Sequence, residues 1–230
     1  VKTAPILRTR ILPAAAAAVV VAALATAGWQ GYGALMSQPF QRVVLSGNLE
    51  KLAPEDLAAF EQAVRGATSI AAVREAAKRV PWVREASVRR EHPATVEIAF
   101  ETHEAVARWG DRALVSARGE VFTAPFAGNL PRFRGPAGAA PRMLAEYPAI
   151  ARALAPLATN LTELRLSARG GWHVVLESGL ELELGRGEVE PRLAAFVAAW
   201  PKLAAQGVET QYADLRHANG FAVRTANVKK

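Results

Sequence analysis

Between Arg10 and Arg42 the chain has no charged residue, and most of that interval is one apolar block, ILPAAAAAVVVAALATAGWQGYGALM. A helix needs about 20 mostly apolar residues to cross a hydrocarbon core about 30 Å thick. Residues 11 to 35 supply that length. A helix lying on a soluble domain would need a polar face, and this block has almost none. Lys2, Arg8 and Arg10 precede it without an acidic residue. Lysine and arginine accumulate on cytoplasmic flanks, so residues 1–10 are expected to form a cytoplasmic tail and the remainder to lie across the membrane. Trp29 and Tyr32 fall near the far end, where amphipathic rings favour the interface. Ala25-Thr26-Ala27 fits the small-x-small pattern of a signal-peptide cleavage site. The apolar block runs past that site to Met36, which favours an uncleaved anchor over a cleaved leader.

With 230 residues, the chain has room for one or two folded domains beyond the anchor. Its formal charge is +7, yet arginine and glutamate are interspersed, as in RREHPATVEIAFETHE. No basic run with interleaved aromatics marks a nucleic-acid footprint, so no nucleic-acid partner is expected. The lack of cysteine excludes disulfides, thiolate metal sites and a cysteine nucleophile.

After Pro39 the pattern changes. Val43 to Leu45 reads as a short strand running into Ser46-Gly47-Asn48. Leu52 to Arg65 reads as a helix, with Pro54, Glu55 and Asp56 in its first turn and Leu57, Phe60 and Val64 on one face. Ser69 is placed to cap a second helix striped by Ile70, Val73, Ala77 and Val80 and stopped by Pro81. Trp82 is expected in the core beneath it. Ala86 and Val88 then alternate with Ser87 and Arg89, His92-Pro93 breaks the run, and Val96, Ile98 and Phe100 alternate with polar neighbours. Period two predicts two half-buried strands. The order is βααββ, with two helices covering one face of a three-stranded sheet.

That order resembles the POTRA domain of envelope proteins. The wording PWVREASVRREHPATVEIAFETHEAVARW is similar to the FtsQ/DivIB family of bacterial cell-division proteins, including Glu101 or Glu104 followed by Val106, Ala107 and Trp109. The remainder continues in the same register of resemblance. LPRFRGP (130–136) resembles a Leu-Pro-x-x-x-Gly-Pro element of that family. The tail, ADLRHANGFAV, matches it at Asp214, Leu215, Arg216, Gly220, Ala222 and Val223, and departs where His217 stands for a common tyrosine and Ala213 for a valine.

The residues of this second region also speak for themselves. Leu114, Val115, Val121 and Phe122 flank Arg118-Gly119 as a hairpin would. Residues 141–157 and 189–203 read as helices, the latter with Leu193, Phe196, Val197 and Trp200 on one side. Leu161, Leu164 and Leu166 mark a strand region. Trp172, Val174 and Leu176, then Leu180, Leu182 and Leu184, alternate around Ser178-Gly179. Asn219-Gly220, between 212–216 and 221–225, favours a two-residue type I′ turn. The expected fold is therefore α+β. It comprises a transmembrane helix at 11–35, a βααββ POTRA domain at 38–108, and at 109–230 a mostly antiparallel β-domain with two or more helices.

Chemistry is hard to find. His92, His103, His173 and His217 fall in no ligand spacing, and no nucleophile elbow or phosphate loop occurs. Glu181 and Glu183 share one outward strand face, which a polar surface explains. No enzyme activity, metal or cofactor is expected.

The resemblance implies a scaffold that joins early and late division proteins. Its direct partners would be FtsB and FtsL, and through them FtsW–FtsI, with FtsK as a further divisome contact. The membrane would be engaged by one helix, and a homodimer stays open. The resemblance also implies that an FtsB segment adds a strand to the last sheet edge. Arg216, His217, Asn219, Gly220, Phe221, Ala222 and Val223 are the candidate partner-binding residues. Arg216 would offer a charge-assisted bond to a partner carboxylate. A POTRA-bearing assembly or secretion protein, and an exported enzyme with dispersed catalytic residues, are the alternatives.

Overall fold

The computed structural model describes residues 11–92, 94–205, 210–217 and 220–225. The expected cytoplasmic tail, Pro93 of the His92-Pro93 break and Asn219 lie outside the described residues. Helix α1 (Ile11–Met36) is continuous, and its residues 16–35 are exposed on every side. Ala16–Leu35 is long and apolar enough to cross a membrane. A helix that is apolar all round and covered by nothing fits a single-pass membrane anchor.

The chain divides into two compact units, Val1–Thr102 and His103–Lys230. In the first, β1 (Arg42–Gly47), α2 (Pro54–Arg65), α3 (Ile70–Ala77), β2 (Val83–His92) and β3 (Thr95–Thr102) follow one another. The sheet order is β1-β3-β2, with β1 parallel and β2 antiparallel to the central β3. Sequence chemistry explains the helix starts. Pro54 opens α2 with Glu55 and Asp56 at its positive end, and the Ser69 hydroxyl accepts the Ala72 N–H at 3.2 Å. The helix α3 ends at Ala77, a turn before the expected stop at Pro81, yet Val80 is still buried beside it. Phe60, Val64 and Val73 pack on Val88, Val96, Ile98 and Phe100, the alternating positions of the two long strands.

Two details of this unit depart from the reading of periodicity. Trp82 is half-buried at the margin of the core, not inside it. Its φ of +69° turns the chain from α3 into β2, and Lys51 Nζ lies 5.7 Å from its ring centroid. Phe40, four residues past α1, is fully buried, with its N–H donating to the Ala67 carbonyl at 3.1 Å and the Arg90 guanidinium 4.2 Å over its ring.

The second unit holds β4 (Ala105–Trp109), β5 (Ala113–Ser116), β6 (Val121–Phe122), β7 (Arg132–Arg134), α4 (Ala140–Leu154), β8 (Leu161–Leu166), β9 (Trp172–Leu176), β10 (Glu181–Gly185), α5 (Glu190–Ala205), β11 (Thr210–Asp214) and β12 (Ala222–Thr225). They form a nine-stranded sheet ordered β12-β11-β10-β9-β8-β7-β4-β5-β6. Five of the eight neighbouring pairs are antiparallel. Helices α4 and α5 are the crossovers that the parallel pairs β7–β8 and β10–β11 require. Alternation sorts the two faces. Leu164, Val174, Leu182 and Ala213 lie side by side in register and are fully buried in one core with Met143, Ile150, Leu193 and Phe196. The opposite face carries Arg132, Arg134, Glu163, Arg165, His173, Glu181 and Glu183. The whole is α+β: an apolar anchoring helix, a POTRA-like unit and a mostly antiparallel β-domain with helices.

Candidate functional site

Strand β12 ends the sheet, and all four of its residues are exposed. An edge strand leaves alternate backbone N–H and C=O groups without a ladder partner. Val223 is opposite Ala213 and therefore on the helix-bearing side, while Ala222 and Arg224 face the other way, opposite Asp214 and Tyr212. The other edge, β6, is only two residues long.

The segment leading into β12 is shaped by Asp214. Its carboxylate accepts from the Arg216 backbone N–H at 3.0 Å, and from that residue's Nε and Nη2 at 2.9 and 2.6 Å. Leu215 is buried, and its N–H donates to the Glu183 carbonyl at 2.9 Å. The chain thus stays against β10 until Leu215 and then turns away. Asp214 pairs with Ala222, so seven residues, 215–221, join β11 to β12. The turn expected at Asn219-Gly220 falls on Asn219, outside the described residues.

Electrostatics reinforce this hinge. The hydrogen bond from the Arg216 side chain, opposed by burial and aided by the Arg216 backbone N–H, lowers the Asp214 pKa to about 2. The same carboxylate raises that of Arg216. Arg216 is exposed but not an open cation, because Asp214 already holds one edge of its guanidinium.

Two hollows flank the segment. On the helix side, a cavity of about 290 Å³ is lined by Pro191, Arg192, Ala195, Leu215, His217 and Phe221, together with Gly220. Phe221 forms one wall, with its ring edge-on to Phe196 at 5.2 Å. Beyond the end of β10, a wider hollow of about 610 Å³ gathers Arg169, Arg186, Arg192 and Arg216 around Glu183. Arg192 in the first turn of α5 donates to the carbonyls of Leu184 and Arg186 and so fixes the turn at Gly185. Gly185 has φ +74°, and a Cβ there would lie 2.7 Å from Arg216 Cγ. Glycine is what lets the Arg216 stem cross the end of β10.

Of the residues expected at the site, Arg216, His217, Gly220, Phe221, Ala222 and Val223 are found on this one edge; Asn219 is outside the described residues. Residues that sequence reasoning passed over are Arg169, Arg186, Arg192, Tyr212 and Arg224. Arg186 sits in Gly-Arg-Gly, which reads simply as a turn. Arg224 could have been found from the alternation in FAVRT, which puts it on the face opposite to Val223.

Fold and site together define a single-pass membrane protein with a POTRA-like unit and an open-edged β-domain. Comparison with known proteins sharpens the class. Residues 107–216 match the C-terminal region of cell division protein FtsQ/DivIB, and residues 67–101 match the FtsQ-type POTRA domain. The chain is 37% identical to cell division protein FtsQ of Neisseria gonorrhoeae over 196 residues, covering 82% of this chain and 80% of that one. It is 40% identical to the Burkholderia pseudomallei FtsQ over 164 residues, covering 68% and 66%. It is 35% identical to the Escherichia coli FtsQ over 154 residues, covering 64% and 56%. The chain belongs to the FtsQ/DivIB family of cell division proteins.

Proposed function

We propose that this protein is a non-enzymatic divisome scaffold whose β12 edge receives an extended segment of FtsB within an FtsB–FtsL pair. Through that pair it recruits and regulates FtsW–FtsI at the septum, with FtsK as an earlier contact. In this reading residues 1–10 are cytoplasmic, 11–35 span the inner membrane, and the POTRA domain (38–108) and β-domain (109–230) are periplasmic. The observation that carries it is the exposed β12 at the end of a nine-stranded sheet. Main-chain hydrogen bonds to such an edge supply affinity, and alternate side chains supply specificity. The cavity beside Phe221 suits an apolar anchor, and the arginine-lined hollow suits a carboxylate.

The test is a pull-down with the full chain in detergent and the periplasmic FtsB–FtsL pair of the same organism. Proline at Val223 and at Arg224 is compared in turn, because neighbouring strand residues direct their N–H groups to opposite sides. One substitution should abolish capture while thermal unfolding stays cooperative. Capture by both variants would move the contact away from β12.

A further inference from the structure

On the helix-free face of the nine-stranded sheet, charges are matched from strand to strand. Arg134 lies 2.7 Å from Asp111 and 3.2 Å from Glu163, and Arg165 lies 2.5 Å from Glu163. Arg132 also faces both carboxylates, at 3.7 and 3.9 Å. His173 on β9 stands between Glu181 and Glu183 of β10, at 3.0 and 3.1 Å. Arg216 is held by Asp214. The pattern runs out at the edge. Register sets Glu163, Val175, Glu181, Tyr212 and Arg224 side by side, and among the described residues no strand follows.

Arg224 is exposed and makes no ion pair with any described residue. Its guanidinium carbon lies 5.1 Å from the Tyr212 ring centroid, which holds the charge against the sheet. A polar trough of about 350 Å³ beside it, lined in part by Ser178, Glu181, Thr210 and Gln211, leaves room on this face.

A strand added to β12 places one residue directly opposite Arg224 on the same face, with Cβ atoms about 4.5–5.5 Å apart. Opposite charges at such a position stabilise the pair and like charges weaken it. We propose that Arg224 is a specificity-determining residue of this edge, selecting an extended segment that carries aspartate or glutamate opposite it. The neighbouring residue of that segment, turned to the helix-bearing side, is apolar and covers Val223. The proposal rests on the strand-addition reading above and adds the chemistry of the segment that fits.

The experiment measures affinity of the full chain in detergent for the purified periplasmic FtsB–FtsL pair. Wild type is compared with Arg224→Ala and Arg224→Glu, and each Asp or Glu of the partner's extended segment is changed to Lys in turn. Arg224→Glu should weaken binding by about tenfold, and one partner substitution should restore it. Unchanged affinity of both Arg224 variants, with binding still lost on a proline in β12, would remove the role of Arg224 and leave strand addition standing. Loss of affinity that no partner substitution restores would also overturn the pairing. No binding by wild type would overturn strand addition, and this inference with it.

Discussion

Gly185→Ala tests how the end of β10 seats Arg216 beside the β12 edge. The residue has φ +74°, a conformation that costs an L-residue about 1–2 kcal/mol. Its new methyl would lie 2.7 Å from Arg216 Cγ and 3.2 Å from Arg192 Nη1. Those contacts are to side chains, so the stems give way, and the loss of stability should be limited to about 1–3 kcal/mol. For a unit of this size that is a fall in Tm of about 3–10 °C. The displaced Arg216 would loosen its grip on Asp214, so partner affinity should fall as well. A double-mutant cycle separates the two causes. In an Arg216→Ala background the clash with Arg216 is gone, and only the backbone cost and the contact with Arg192 remain. Gly185→Ala should then cost less than in wild type. An equal cost in both backgrounds would refute the role given to Gly185 in seating Arg216, and no loss in either would refute the backbone argument too.

Other expectations concern the hinge and the core. The Asp214 pKa is held near 2, below its ordinary value of 3.8, so its bond with Arg216 stabilises the fold above about pH 4 and is lost as pH falls through about 2. Asp214→Asn should lower stability by no more than about 1 kcal/mol at neutral pH, because solvent around the exposed Arg216 screens the pair, and should flatten that part of the acid-unfolding profile, as read by circular dichroism. An unchanged profile would detach Asp214 from the hinge. Leu182→Ala, at a fully buried centre of the sheet, should cost about 2–5 kcal/mol in denaturant unfolding. A loss below 1 kcal/mol, roughly that of a surface change, would contradict the burial.

Much of the architecture was legible because the two periodicities rarely conflict. Trp172, Val174 and Leu176, with Leu180, Leu182 and Leu184, announce a hairpin and are all buried. Ser69 announces its helix and caps it. The order of strands was not legible, since the parallel joint of β10 to β11 depends on α5 packing back over the sheet. Strand β7 has three residues, too few for a period to register. The course of the chain just past β11 was not legible, because the Leu215 N–H is held by a tertiary partner, the Glu183 carbonyl, while Asp214 bonds the nearby Arg216. The proposed partner edge rests on resemblance more than on pattern: Val223 and Arg224 look like any short strand until the sheet shows that no described strand lies beyond them.

The claim at the centre is that a partner strand lies alongside β12. The chain has no cysteine, so single cysteines can be placed without background. Val223→Cys on β12 and Val121→Cys on the opposite edge are each tested for disulfide formation with a cysteine moved residue by residue along the extended segment of FtsB. The account predicts cross-linking at Val223 with a two-residue period and none at Val121. Cross-linking without that period, or equal yield from both edges, would contradict it.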